Sequence, residues 1–145
     1  MDLLVTVQKS WSWCGIQAAK IVAQNDFGNL IVLDDVGTYW RICPEDLYCE
    51  IIATNAEEMD ELSNDEEFRT DWEMSTLIEI GQELYGKLPP EHCYCLKVPS
   101  IWGGAYSRDN IDTMTRAEVI AYSGDLAEQI KDLPDGANIK LTVTD

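Results

Sequence analysis

Leu30-Ile31-Val32-Leu33-Asp34-Asp35-Val36-Gly37-Thr38-Tyr39-Trp40-Arg41-Ile42 is the stretch on which the fold turns. Four aliphatic residues, an Asp/Gly turn and a run rich in β-formers have the pattern of a hairpin. The same alternation of short strands and turns extends both ways. Upstream, Ile21-Val22-Ala23 precedes a turn at Asn25-Asp26-Phe27-Gly28-Asn29; downstream, Pro44-Glu45-Asp46 leads into Tyr48–Ala53. Residues from about 20 to 54 therefore predict an antiparallel β-meander.

Helical signals follow. Asn55-x-x-Glu58, Ser63-x-x-Glu66 and Thr70-x-x-Glu73 each have capping-box spacing. After Thr70, the residues Met74, Leu77, Ile78, Gly81, Leu84 and Tyr85 recur on one helical face, and Gly86 with Leu88-Pro89-Pro90 ends it. His92–Val98 predicts a strand, and Ile101-Trp102-Gly103-Gly104-Ala105-Tyr106 a loop. Thr115-x-x-Glu118 opens a further helix whose Val119, Tyr122, Leu126 and Ile130 share a face. Gly124 lies nearly opposite that face, where it is expected to cost up to about 1 kcal/mol of helix propensity without disturbing packing. Leu133-Pro134-Asp135-Gly136 should turn the chain into a last strand carrying Ile139, Leu141 and Val143. The fold class is α+β: an N-terminal antiparallel β-meander, then helices packed on a mixed or antiparallel sheet. One compact domain over residues 1–145 is expected, with a β-rich half (1–54) and a helix/strand half (55–145).

Composition bounds the function. The 145 residues hold 27 Asp+Glu against 10 Lys+Arg, a formal net charge of −17. Such a surface repels DNA, RNA and anionic lipid, because gripping a phosphate backbone requires Lys and Arg. A large partner with a charge preference should be basic. The charge also exceeds the magnitude of about 2–8 that keeps a small domain soluble. Met1-Asp2-Leu3-Leu4-Val5 has no basic n-region, and the longest aliphatic run has four residues, so the expected location is the cytoplasm. Five cysteines, Cys14, Cys43, Cys49, Cys93 and Cys95, are then expected as reduced, packed thiols. Cys93-Tyr94-Cys95 places two thiols on one strand face beside His92, but a four-ligand metal site would have to recruit distant residues. Neither metal nor cofactor is implied.

No phosphate loop, dinucleotide fingerprint, zinc-protease motif or nucleophile elbow occurs. A hydrolase would rest on His92 and Cys93, which alternation places on opposite strand faces. The chain is read as a non-enzyme. Its strongest local feature is acidic: residues 42–68 contain ten Asp and Glu and no Lys or Arg. Glu57, Glu58, Asp60, Glu61, Asp65, Glu66 and Glu67 form the core of a candidate partner-binding surface. Part of this is helix chemistry, since acids in a first turn gain about 0.3–1 kcal/mol from the macrodipole. Like charges at i, i+4, such as Glu57 and Glu61, act the other way. For Phe68 and Trp72 two readings stand. On one long helix they project among the acids as anchors; if Thr70 caps a new helix, both turn into the core. Trp102, Gly103, Gly104 and Tyr106 form a second candidate, either a tight turn roofed by aromatics or a recognition loop using its glycine amides.

The run Leu96-Lys97-Val98-Pro99-Ser100-Ile101-Trp102-Gly103-Gly104-Ala105-Tyr106, then Asp109-Asn110-Ile111, Ser123-Gly124-Asp125-Leu126 and Gln129–Gly136, resembles the bacterial type VI secretion immunity family, the type that neutralises a DNase toxin. Asn25–Asn29 and Gly37–Ile42 are similar to the β-rich half that often accompanies that C-terminal domain. The resemblance implies a cytoplasmic protein without catalytic residues that protects its producer by binding a toxin domain. A nuclease-like toxin is basic where it holds phosphate, so the two lines agree: the acids would face that groove, with Trp72, Trp102 or Tyr106 as anchors. The alternative is a small ligand-sensing or regulatory module built on the Trp102-Gly103-Gly104 loop.

Overall fold

The structure, a computed structural model, describes residues 2–131. The expected turn at Leu133–Gly136 and the strand through Ile139, Leu141 and Val143 lie outside the described residues. The chain opens with a helix, α1 (Leu3–Trp11), followed by β1 (Ala18–Gln24), β2 (Leu30–Asp34), β3 (Tyr39–Cys43) and β4 (Tyr48–Ala53). These four strands form one antiparallel sheet in sequence order, the expected meander. Three acidic-to-apolar helices follow, α2 (Ala56–Ser63), α3 (Glu66–Glu73) and α4 (Ser75–Tyr85). A two-stranded antiparallel sheet, β5 (His92–Leu96) with β6 (Ile111–Thr115), precedes α5 (Arg116–Ile130). The architecture is α+β in a single compact domain.

The turns explain themselves chemically. Asp34 Oδ1 accepts from the Val36 and Thr38 amides at 3.0 and 2.8 Å, closing the β2–β3 hairpin, while Oδ2 accepts from Trp40 Nε1 at 2.9 Å. Asn25 Oδ1 does the same for the β1–β2 turn, accepting from Phe27 and Asn29 amides at 2.9 and 3.0 Å.

The helix α1 had no counterpart in the sequence reading. Asp2 caps it, accepting from the Leu4 amide at 2.9 Å, and Val7 and Trp11, one turn apart, are fully buried. They enter the main core with Ile16, Leu30, Val32, Ile42 and Ile120. Trp11 Nε1 donates to the Ile120 carbonyl of α5 at 3.2 Å. The closest approach of the two helices corrects the expectation for Gly124. This residue is buried against α1, and a Cβ there would lie 2.4 Å from the Ser10 carbonyl oxygen. The apolar face of α5 is wider than four residues suggested: Val119, Ile120, Ser123, Gly124, Leu126 and Ala127 are all buried.

A second core gathers Phe27, Tyr94, Leu96 and Ile111, with Leu77, Ile78 and Ile80 of α4 packed against it. Cys93 and Cys95 form a small third cluster with Val119, so both thiols share a face. The Thr115 cap holds: its hydroxyl oxygen accepts from the Glu118 amide at 3.2 Å. The expected cap at Thr70 does not. Thr70 lies inside α3, and the break comes at Met74, whose left-handed backbone (φ 47°) separates α3 from α4. Ser63 likewise ends α2, and Asp65 is the residue that caps α3.

Candidate functional site

Asn55 caps α2 by accepting from the Glu58 amide at 2.8 Å, and Glu58 Oε1 returns to the amide and hydroxyl of Thr54, both at 2.8 Å. Those two donors hold the Glu58 carboxyl below its ordinary range. Asp65 accepts from the Phe68 amide at 2.9 Å. Glu57, Glu58, Asp60, Glu61, Asp65, Glu66 and Glu67 are all exposed, in two short helices joined by one turn. Glu57 and Glu58 sit in the first turn of α2, and Glu66 and Glu67 in the first turn of α3, where the macrodipole favours them.

Phe68 and Trp72 are neither free anchors nor core residues. Both are half-buried and stack on each other at 6.4 Å with planes 10° apart. The reason is Arg41, an arginine at a buried position of β3. Its guanidinium lies 6.0 Å from the Phe68 ring and 5.3 Å from the Trp72 ring. It also pairs with Asp71 of α3 at 2.5 Å, and its Nε and Nη2 donate to Asn29 Oδ1 at 3.2 and 3.0 Å. Asn25 Nδ2 adds a bond to the Trp72 carbonyl at 2.8 Å. The acidic helix α3 is thus clasped to the sheet by one buried cation and one amide.

In the second candidate, the sequence expectation of positive φ or close backbone approach holds for both glycines. Gly103 has φ 83°, and a Cβ on Gly104 would lie 1.8 Å from the Val98 carbonyl oxygen. Their amides are committed, however, donating to the Ser100 and Pro99 carbonyls at 3.0 and 3.2 Å. Asn110 fastens the same loop, bonding Val98 twice and Ala105 once at 2.9–3.0 Å. The loop is therefore a locked turn, not one that offers glycine N–H groups to a ligand. Trp102 is half-buried against the main core. Tyr106 remains 45% exposed, and its hydroxyl donates to Asp46 Oδ1 at 2.7 Å; the Ser100 hydroxyl donates to the same oxygen.

Between this loop and α3 lies a cavity of about 560 Å³, with Arg41, Glu45, Asp46, Tyr48, Asp71 and Tyr106 on its walls. A shallower hollow beside it is formed by Glu66, Glu67, Thr70 and Asp71, and Thr70 and Asp71 belong to both. Tyr106 therefore lines the cavity, whereas Glu66 and Glu67 line the neighbouring hollow, the two meeting at Thr70 and Asp71. Glu57, Glu58, Asp60, Glu61, Trp72, Trp102, Gly103 and Gly104 are on the walls of neither. Arg41, Asp46, Tyr48, Asp71 and Glu73 line the cavity and were missed as site residues. One signal was available: Arg41 is a lone base in a strand, immediately before a stretch with ten acids and no base.

His92 and Cys93, on which a hydrolase would rest, differ in setting. Cys93 is fully buried, and burial pushes its thiol up to about 12; Cys95 is raised likewise to about 12. His92 Nδ1 lies 2.9 Å from the Pro90 carbonyl, a bond the ring makes as donor. Among the described residues, no three His, Cys, Asp or Glu side chains are grouped to hold a metal ion, and no helix is long and apolar enough to cross a membrane.

Residues 53–127 match the sequence family described as T6SS immunity protein Tdi1, C-terminal. The chain belongs to that family. Comparison with curated protein sequences gives no match. The matched segment runs from the end of β4 into α5, and so contains the immunity-type run Leu96–Tyr106, the Ser123–Leu126 stretch, all the acids of α2 and α3, and one wall of the groove. The other wall, Arg41 to Tyr48, precedes it.

Proposed function

We propose that this chain neutralises a cognate antibacterial toxin in the cytoplasm by occluding the toxin's basic, nuclease-like substrate surface. The observation that carries the reading is the exposed acidic surface of α2 and α3, within the segment that matches the immunity family. A nucleic-acid-cleaving domain must be positively charged where it holds phosphate, and an acidic protein seated there excludes the substrate by charge and by volume. Charge of this kind speeds encounter more than it deepens affinity. Association approaches about 10⁸–10⁹ M⁻¹s⁻¹ at low salt, against about 10⁵–10⁶ for a neutral pair. Stopped-flow binding to the toxin domain encoded beside this chain should therefore slow steeply as salt rises; a salt-independent rate would remove the electrostatic part. The combined substitution Glu57→Lys, Glu58→Lys, Glu61→Lys and Glu66→Lys should abolish protection of cells expressing the toxin. Retained protection would move the interface off α2 and α3.

A further inference from the structure

Glu45 is the least expected residue of the groove. It lies in the tight turn after β3, is only 5% exposed, and lines the 560 Å³ cavity. Both of its carboxylate oxygens accept from Asn29 Nδ2, at 3.0 and 2.9 Å, and the Cys43 thiol and its own backbone amide add neutral donors. The nearby cation does not pair with it: Arg41 bonds Asn29 Oδ1 and Asp71 instead. A buried carboxylate is costly unless a positive charge balances it, and Glu45 has none among the described residues. The rest of the cavity has the same bias. Asp46, Asp71 and Glu73 add three carboxylates to its walls against the one guanidinium of Arg41. Asp71 is 68% exposed, and Glu73 makes no ion pair among the described residues. Tyr48 and Tyr106 supply aromatic walls of the kind that favour a cation. A separate hollow lined by Glu66 and Glu67 borders it at Thr70 and Asp71. The volume suits one long side chain and is well above that of a single water.

We propose that this groove is the socket for one basic side chain, an arginine or a lysine, of the partner toxin, whose charged head enters between Tyr48 and Tyr106 to balance Glu45. This rests on the immunity reading for the identity of the occupant, but not for the cation preference of the socket. It differs from a diffuse acidic surface in locating a single buried contact, built jointly by β3, the turn after it, and α3. The occupant would be a hot spot in the usual sense: one side chain fully desolvated inside a ring of weaker contacts.

Two measurements separate the socket from the broader reading. In the first, the full chain is titrated with N-acetyl-arginine amide, with N-acetyl-citrulline amide as the uncharged isostere, and followed by NMR. Saturable shifts at Tyr48, Tyr106 and Asp71 are expected for the arginine probe alone, and Glu45→Gln should remove them while leaving the rest of the spectrum in place. Equal responses to the two probes, or arginine shifts that survive in Glu45→Gln, would overturn the proposal. In the second, Thr76→Trp fills the cavity from the exposed surface of α4 without touching the buried network. Its affinity for the toxin domain encoded alongside should fall about 10- to 100-fold, as expected for loss of a hot spot. Unchanged affinity of Thr76→Trp and Glu45→Gln, with the wild type binding tightly, would overturn the socket and leave the immunity reading intact. No binding of that toxin by the wild type would overturn the immunity reading, and with it the identity of the occupant. The arginine titration would still decide whether the socket takes a cation.

Discussion

Gly124→Ala tests the packing of α1 against α5, because two physical effects of opposite sign meet at one methyl group. In a helix interior, alanine is better than glycine by about 0.8–1.0 kcal/mol. If Gly124 faced solvent, the substitution would stabilise the protein by about that amount. The structure places the new Cβ 2.4 Å from the Ser10 carbonyl oxygen, and 2.9 Å from the Ser10 carbonyl carbon and Cβ. Two of the three neighbours are backbone, which cannot rotate away, and contacts between non-bonded heavy atoms are optimal only near 3.5–4.0 Å. Overpacking in a well-filled core costs about 1–3 kcal/mol, and a backbone neighbour belongs to the upper part of that range. The net expectation is destabilisation by about 1–2 kcal/mol, or a Tm lowered by roughly 2–8 °C in a chain of this size. Urea unfolding followed by tryptophan fluorescence measures it, since Trp11 is buried at the same helix pair. Ala121→Gly, at an exposed position of the same helix, supplies the propensity term alone and should cost about 1 kcal/mol. A Gly124→Ala variant with a raised urea midpoint would refute the close approach of α1 and α5.

Asp34→Asn keeps an oxygen for the Val36 and Thr38 amides but turns an NH₂ toward Trp40 Nε1, so it should cost about 1–3 kcal/mol at neutral pH. Burial works against ionisation of Asp34, but the Trp40 and backbone donors outweigh it and hold its pKa below the usual value. Its stabilisation is therefore present above about pH 4 and lost as pH falls through the lowered folded value, so urea curves of wild type and Asp34→Asn should converge in acid. Glu45 has the opposite sign. Burial raises its pKa, with Asn29 opposing, so its favourable state is complete below about pH 4 and lost as pH rises through the folded value. Wild type should lose stability relative to Glu45→Gln as pH rises above about 4, and a constant difference would contradict the raised pKa of this buried carboxyl. Cys14 is lowered to about 7, chiefly because the Cys49 thiol donates to it; burial acts against this, and the backbone at Ile16 and at Cys14 itself adds to the lowering. Iodoacetamide at neutral pH, read by peptide mass spectrometry, should label Cys14 before the buried Cys43, Cys93 and Cys95, and Cys49→Ala should slow it.

The meander was legible because its information is local. Asn25, Asp34 and the glycines close their turns within five residues, and the strands between them differ visibly from the turns. The α5 cap at Thr115 was legible for the same reason. Other features failed where the deciding partner is distant in sequence. Thr70-x-x-Glu73 has capping spacing, yet Arg41, thirty residues earlier, clasps Asp71 and holds α3 intact through Thr70. Gly124 sits opposite the most apolar stripe of its helix, and only the arrival of α1 turns that side inward. Charge counting located the acids of α2 and α3 correctly on the surface, but it could not separate them from Glu45, which is buried and hydrogen-bonded to Asn29. Periodicity overlooked α1 because its nine residues offer only two fully buried apolar positions, Val7 and Trp11.

The boundary of the family match has a physical consequence for how the molecule is divided. Residues before Ala53 are outside the matched segment, yet the bonds that hold α3, β5 and α5 in place start from them. Arg41 and Asn25 hold α3, the Asp26 carbonyl accepts from the Tyr94 amide of β5 at 2.8 Å, and Trp11 reaches the Ile120 carbonyl of α5. Arg116, the first residue of α5, returns to the Asn25 carbonyl at 3.1 Å. Val7, Trp11, Leu30 and Ile42 supply much of the core on which Ile120 and Leu126 lie. Cutting at residue 53 would expose that apolar surface and release α3, so the matched segment should not fold alone. The groove is likewise split: Tyr106 and α3 come from the matched part, Arg41, Glu45 and Tyr48 from the part before it. A partner seated there touches both at once. If the proposed socket is the contact, substitutions in the meander, far from the acidic helices in sequence, should retune recognition without altering a single residue of α2 or α3.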